Sequence, residues 1–195
     1  SSVGEQGNFE SWYPSISANG RYVAFRSTAS NLVPGDTNGF HDVFVHDRAT
    51  GITTRVSVNS DGSQADSESN DPGISADGRY VAFESSASNL VPGATNGRAD
   101  VFVHDQATAI TIRVSVNSDG SQVDGGSHYP DISADGQTIG FCSDATNLVL
   151  GDTNERPDCF VHDQQTGLTT RISVSSSGQE GNNVSWGKPS LSADG

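Results

Sequence analysis

Apolar residues in this chain fall in short β-branched and aromatic clusters, separated by long runs rich in Gly, Ser, Asn and Asp. No stretch repeats at the 3.6-residue spacing of a helix. The cluster Arg21-Tyr22-Val23-Ala24-Phe25 is nearly continuous in apolar residues, the pattern of a strand covered on both faces. Asp42-Val43-Phe44-Val45-His46-Asp47 is again apolar on both sides at its centre. Ile52-Thr53-Thr54-Arg55-Val56-Ser57-Val58 alternates, as expected of a half-exposed strand near a sheet edge. A shorter extended piece ends at Ile16-Ser17, after Pro14. Asn19-Gly20 suits the positive φ angles of a tight hairpin, residues 27–41 form a long loop, and Ala49-Thr50-Gly51 makes a further turn. The pattern predicts four antiparallel strands, the two central ones buried on both faces.

This unit recurs. The stretch from Ile16 to Phe25 returns at Ile74-Ser75-Ala76-Asp77-Gly78-Arg79-Tyr80-Val81-Ala82-Phe83 and at Ile132-Ser133-Ala134-Asp135-Gly136-Gln137-Thr138-Ile139-Gly140-Phe141. It starts again at Leu191-Ser192-Ala193-Asp194-Gly195, so the steps are 58, 58 and 59 residues. Residues 16–64 and 74–122 align without a gap and are identical at 40 of 49 positions. A fixed period of this size marks an array whose units cannot bury their apolar faces alone. Four-stranded sheets packed face to face in series predict an all-β fold, a β-propeller built from four-stranded antiparallel blades. A β-helix fits less well, because its coils are much shorter and need no hairpins at Asp-Gly. The blades are expected at about 11–58, 69–116 and 127–174, three complete repeats, with 175–195 supplying the first strand of a fourth. Gly178, Gly181, Asn182 and Trp186 repeat Gly4, Gly7, Asn8 and Trp12, whereas the internal equivalents of Trp12 are Asn70 and His128.

The net charge of −14, with only 10 basic residues spread along the array, argues against a nucleic-acid partner, which needs clustered Lys and Arg. No apolar run reaches the length of a membrane span. The two cysteines, Cys142 and Cys159, fall where one predicted strand ends and the next begins. They are read either as a cross-strand disulfide, which would fit an oxidising compartment, or as two buried thiols.

The succession Pro-x-Ile-Ser-Ala-Asp-Gly-Arg-Tyr-Val-Ala-Phe, Asp-Val-Phe-Val-x-Asp and Thr-x-Arg-Val-Ser-Val resembles the blade repeat of TolB-like propellers. The resemblance implies that the Asp-Gly stretch joins the first and second strands and that Asp-Val-Phe-Val is the third. Such propellers include binding scaffolds, translocation components and non-catalytic parts of peptidases, so the likeness speaks to fold and not to one function. Three blades are too few to close a ring. Closure is expected either from a homodimer of six blades or from neighbouring blades of a longer chain.

Asp36, Asn38 and Asp42 space three oxygen side chains around a glycine, as in the front half of calcium loops. Asp152, Asn154 and Asp158 repeat the set in the third unit, whereas the second has Ala94 in place of the first Asp. The expected metal is Ca²⁺. The alternative is that these side chains make turn hydrogen bonds and fix the strand start. His46-Asp47 recurs at His104-Asp105 and His162-Asp163, which reads as structure, because an active site is normally a single asymmetric constellation. No nucleophile-elbow or zinc-protease motif occurs. Arg55, Arg113 and Arg171 are expected to pair with acidic neighbours on the blade surface, and Phe25, Phe83 and Phe141 to form inter-blade core. These features suggest a non-catalytic extracellular or periplasmic module that binds a protein or glycan, with no catalytic residues assigned. The alternative is the propeller part of a secreted hydrolase with one site at the ring centre. In that case substitutions unique to one copy, such as Phe40-His41 or Glu155-Arg156-Pro157, mark where to look.

Overall fold

The computed structural model describes residues 4–94 and 96–195. Twelve strands form three sheets, with no helix among the described residues. The first sheet orders β1 (Ser11–Ile16), β2 (Tyr22–Ser27), β3 (Asp42–Asp47) and β4 (Ile52–Arg55) as an antiparallel meander. The second repeats it with β5 (Ser69–Ile74), β6 (Tyr80–Ser85), β7 (Asp100–Asp105) and β8 (Ile110–Arg113). The third comprises β9 (Ser127–Ile132), β10 (Thr138–Ser143), β11 (Asp158–Asp163) and β12 (Leu168–Arg171). The register is the same in each, with Phe25 opposite Phe44, Phe83 opposite Phe102 and Phe141 opposite Phe160.

The sheets stack face to face. Ala24, Val43 and Val45 of the first meet Val81, Phe83, Leu90 and Phe102 of the second in one buried cluster. Ala82, Val101 and Val103 of the second meet Ile139, Phe141, Leu148 and Phe160 of the third in another. Backbone steps join the turns that follow the first strands: Ala18 N donates to Ala76 O (2.9 Å), Ala76 N to Ala134 O (2.9 Å) and Ala134 N to Ala193 O (3.1 Å). The outer strands are tied in as well, Thr111 N donating to Ser60 Oγ (3.0 Å) and Thr169 N to Ser118 Oγ (3.1 Å).

Four details depart from the sequence expectation. In the first hairpin only Gly20 takes positive φ (69°), while Asn19 works through its side chain, accepting from Ser17 Oγ (2.8 Å) and Arg21 N (2.9 Å). The fourth strand stops at Arg55, because Val56 N and Ser57 N both turn to Val43 O (2.8 and 3.4 Å) and the chain swings away to a bridge between Val58 and Gln64. Phe25 is only half-buried, unlike Phe83 and Phe141, since no sheet covers its side of the first blade among the described residues. Finally, 175–195 docks on the third blade without forming a strand, because no second strand pairs with it among the described residues. Ser185 N donates to Pro157 O (2.8 Å), and Pro189 and Leu191 close over Gly140.

Close blade stacking also explains two glycines. At Gly78 (φ 82°) and Gly136 (φ 77°) an added Cβ would lie 2.1 and 2.3 Å from the rings of Tyr22 and Tyr80 in the preceding blade. Cys142 and Cys159 face each other across β10 and β11 and are joined by a disulfide.

Candidate functional site

The first strands β1, β5 and β9 lie beside one another. Each contains a proline that lacks a ladder donor, and each interrupts its pairing with the second strand there. The residue before that proline bulges into left-handed backbone: Tyr13 at 52°, Asp71 at 47° and Tyr129 at 57°. Such conformations cost roughly 1–3 kcal/mol each and persist where the surroundings over-determine them. The three strained positions lie along one edge of the stack.

At this edge the near-identical units stop matching. Along the first strands the copies read Trp12-Tyr13, Asn70-Asp71 and His128-Tyr129, and the facing second-strand residue is Arg26, Glu84 or Cys142. Arg26 lies over the rings of Trp12 (5.1 Å) and Tyr13 (4.8 Å) and donates to Asn70 Oδ1 (2.6 Å). Glu84 accepts from Tyr129 N (3.2 Å) and lies 3.4 Å from His128 Nδ1, which raises the His128 pKa. Burial, and then the Glu84 charge, push Asp71 upward. His128 and Tyr129 pack against Trp186 with ring centres 5.4 and 5.7 Å apart. Trp12 continues the row to His41 (5.9 Å), which lies 3.6 Å from Glu68. Trp12, Tyr13 and Trp186 remain 37%, 55% and 43% exposed. The result is an asymmetric strip of aromatic faces, carboxylates, one amide, the Arg26 guanidinium and two imidazoles. Sequence reasoning singled out Trp12 with its equivalents Asn70 and His128, Trp186 and Phe40-His41, but missed Tyr13, Arg26, Asp71, Glu84 and Tyr129. The signal was present, as variation at positions 13, 26, 71, 84 and 129 against a constant frame.

The loops expected to hold calcium lie elsewhere, near the fourth strands. Asn38 presents its amide nitrogen to Asp42 (2.9 Å) and to Ala65 O (3.1 Å), and its oxygen accepts from Phe40 N. Asn154 likewise donates to Gly181 O (2.7 Å), so these amides clip the loop to the connection leaving the fourth strand. Asp42 is fully buried, accepts from Ser57 Oγ (2.6 Å) and pairs with Arg55 at 3.2 Å. Arg55 Nη1 also lies 3.2 Å from Asp36. In the third blade Arg171 Nη1 lies 3.0 Å from Asp158, 3.5 Å from Asp152 and 2.7 Å from Glu180. In the second, Asp100 is the one carboxylate that Arg113 meets among the described residues, at 3.4 Å, and Arg113 also donates to Gly93 O (3.4 Å). These arginines are about nine-tenths buried and do not sit on the open blade surface. Burial raises the pKa of Asp36, Asp100 and Asp152.

The repeated His-Asp pairs separate. His46, His104 and His162 meet Thr53, Thr111 and Thr169 at 2.9–3.0 Å, while Asp47 and Asp105 pair with Arg21 and Arg79 at 2.8 Å. Burial lowers the pKa of His104 and His162.

The stack of four-stranded meanders is found in solved structures. The chain is similar to TolB from Agrobacterium tumefaciens, with a TM-score of 0.55 and 15% identity over 85% of this chain and 50% of that one. It is also similar to TolB from Acinetobacter baumannii, with a TM-score of 0.51 and 18% identity over 88% and 34% of the two chains. The fold is that of a TolB-like β-propeller. Three blades of it are present, spanning half or less of those proteins. An oligogalacturonate lyase solved in complex with manganese is similar at a TM-score of 0.54 and 12% identity, over 86% of this chain and 43% of that one. Neither a protein-family model nor a curated protein sequence matches the chain.

Proposed function

We propose that this TolB-like propeller array is a non-catalytic binding scaffold of the extracellular or periplasmic space, and that its first-strand strip takes a glycan chain. The observation that carries the reading is where the copies differ. Blade packing holds most of the frame constant, while the strip varies and bears exposed Trp and Tyr faces beside Asp, Glu and Asn side chains. Aromatic faces cover the apolar side of a sugar ring, and carboxylates and amides hydrogen-bond its hydroxyls. The disulfide supports the location. The test is a glycan array followed by titration calorimetry with Trp12→Ala and Tyr13→Ala. Binding weakened at least tenfold in both variants supports the assignment. Unchanged affinity in both, or capture of peptides alone, overturns it.

The same geometry supports ring closure by a second copy. Val23, Phe25 and Leu32 lie on the uncovered face of the first blade, where the second and third blades each have a preceding sheet. On the far side Ile172 and Val174 are 44% and 41% exposed, whereas Val56 and Val114 are fully buried. The two open faces therefore reproduce the two sides of an existing blade interface, and a second copy would complete six blades. For that, one of the two first-strand segments, 4–16 or 178–190, must give way at each junction. Light scattering should give twice the 20.3 kDa chain mass. The rival reading is the propeller part of a secreted hydrolase, and turnover on a hydrolase panel would favour it.

A further inference from the structure

The cluster under the third-blade loop differs from its two counterparts in a way that points to a ligand. One guanidinium nitrogen, Arg171 Nη1, faces Asp152, Asp158 and Glu180. It carries two hydrogens, which serve Asp158 (3.0 Å) and Glu180 (2.7 Å). Asp152 Oδ1 is left 3.5 Å from that nitrogen with no hydrogen-bond partner, on a side chain only 2% exposed. The three carboxylates approach within 4.8 Å of one another. A buried carboxylate oxygen aimed at a site already short of positive charge is costly unless a proton or a cation joins it.

The other blades act as internal controls. In the first, the position of Glu180 is the neutral Gln64, and Arg55 Nη1 donates to Asp42 (3.2 Å) and lies 3.2 Å from Asp36, so one guanidinium faces two carboxylates and not three. In the second, Ala94 and Gln122 leave Asp100 and Arg113 as a balanced pair. The formal charge at equivalent places is thus −1, 0 and −2.

We propose that Asp152, Asp158 and Glu180 bind one Ca²⁺ per chain, and that the first and second blades bind none. The donors are hard oxygens, as Ca²⁺ requires, and Gly151 O, now accepting from Arg171 Nη2 (3.2 Å), is a further donor close by. The ion would share or displace the guanidinium and so relieve the excess negative charge.

The test is calorimetric titration of CaCl₂ into the whole chain after chelator treatment and desalting. One site per chain, with a Kd of roughly 10⁻⁴–10⁻³ M, is expected. Glu180→Gln, which recreates the first blade's set, should weaken binding at least tenfold, as should Asp152→Asn. Gln64→Glu gives the first blade the third blade's set and should add a second site. It tests the idea even if a third-blade variant folds poorly. No heat up to 10 mM Ca²⁺, equal affinity in wild type and Glu180→Gln, or an unchanged single site in Gln64→Glu would each overturn the proposal.

Discussion

The first and second blades share 40 of 49 residues, yet they live in different surroundings. Ile74 is 7% exposed and Ile16 58%. Phe83 is fully enclosed, while its twin Phe25 is half-buried. Gly78 abuts a tyrosine ring of the preceding blade, whereas an added Cβ at Gly20 would meet nothing closer than 3.7 Å. Residue identity sets the meander, its register and its turns. Place in the array sets burial, and with it most of the energy.

Substitution at matched positions puts this contrast at risk. Phe83→Ala should cost about 3–5 kcal/mol in chemical denaturation. Phe25→Ala should cost less than half as much, and equal losses would mean that a sheet covers the first blade in solution. Asp100→Ala leaves Arg113 buried without its carboxylate and should cost about 3 kcal/mol. Asp36→Ala, by contrast, recreates the native second-blade residue Ala94 and should cost under about 1 kcal/mol, because Asp42 still holds Arg55. Gly78→Ala adds a clash to an unfavourable φ and should cost roughly 2 kcal/mol, against about 1 for Gly20→Ala.

The smallest effect is on pH dependence. Buried His104 and His162 resist protonation in the folded chain, so below the ordinary histidine value of about 6.5 the unfolded chain binds protons that the folded one does not. Stability should fall there. His128 works in the opposite sense: its raised value contributes stability that is fully present below about pH 6.5 and is lost as pH rises from there through the raised folded-state value. Glu84→Gln removes that contribution and should steepen the loss on acidification, as read from melting temperatures between pH 7.5 and 5.5. An unchanged slope would show that the Glu84–His128 pair carries no such linkage.

Much of the fold was legible because the period is nearly constant, at 58, 58 and 59 residues, and each strand can be read three times. The continuous apolar runs at 22–25 and 43–45 announced strands covered on both faces, and the meanders lie where those runs fall. The departures come from interactions that no single segment encodes. Val43 O takes two amides and shortens β4, and the proline bulges turn Tyr13, Asp71 and Tyr129 into left-handed backbone. The oxygen-rich loop was visible as a motif, but Arg55 was not visible as its partner, since the guanidinium arrives from a strand 13 to 19 residues further on. Glu180 lies further still, in the connection leaving the last strand, and nothing in the local spacing ties it to Asp152.

The step from Ala18 to Ala76 to Ala134 to Ala193 has a bearing on how such an array grows. Each added copy brings one new face-to-face junction and leaves the number of bare end faces unchanged. The penalty at the ends is therefore a fixed overhead, while the gain rises with every duplication. Lengthening by copying is favoured from the first repeat onward, and only closure into a ring removes the incentive to add another.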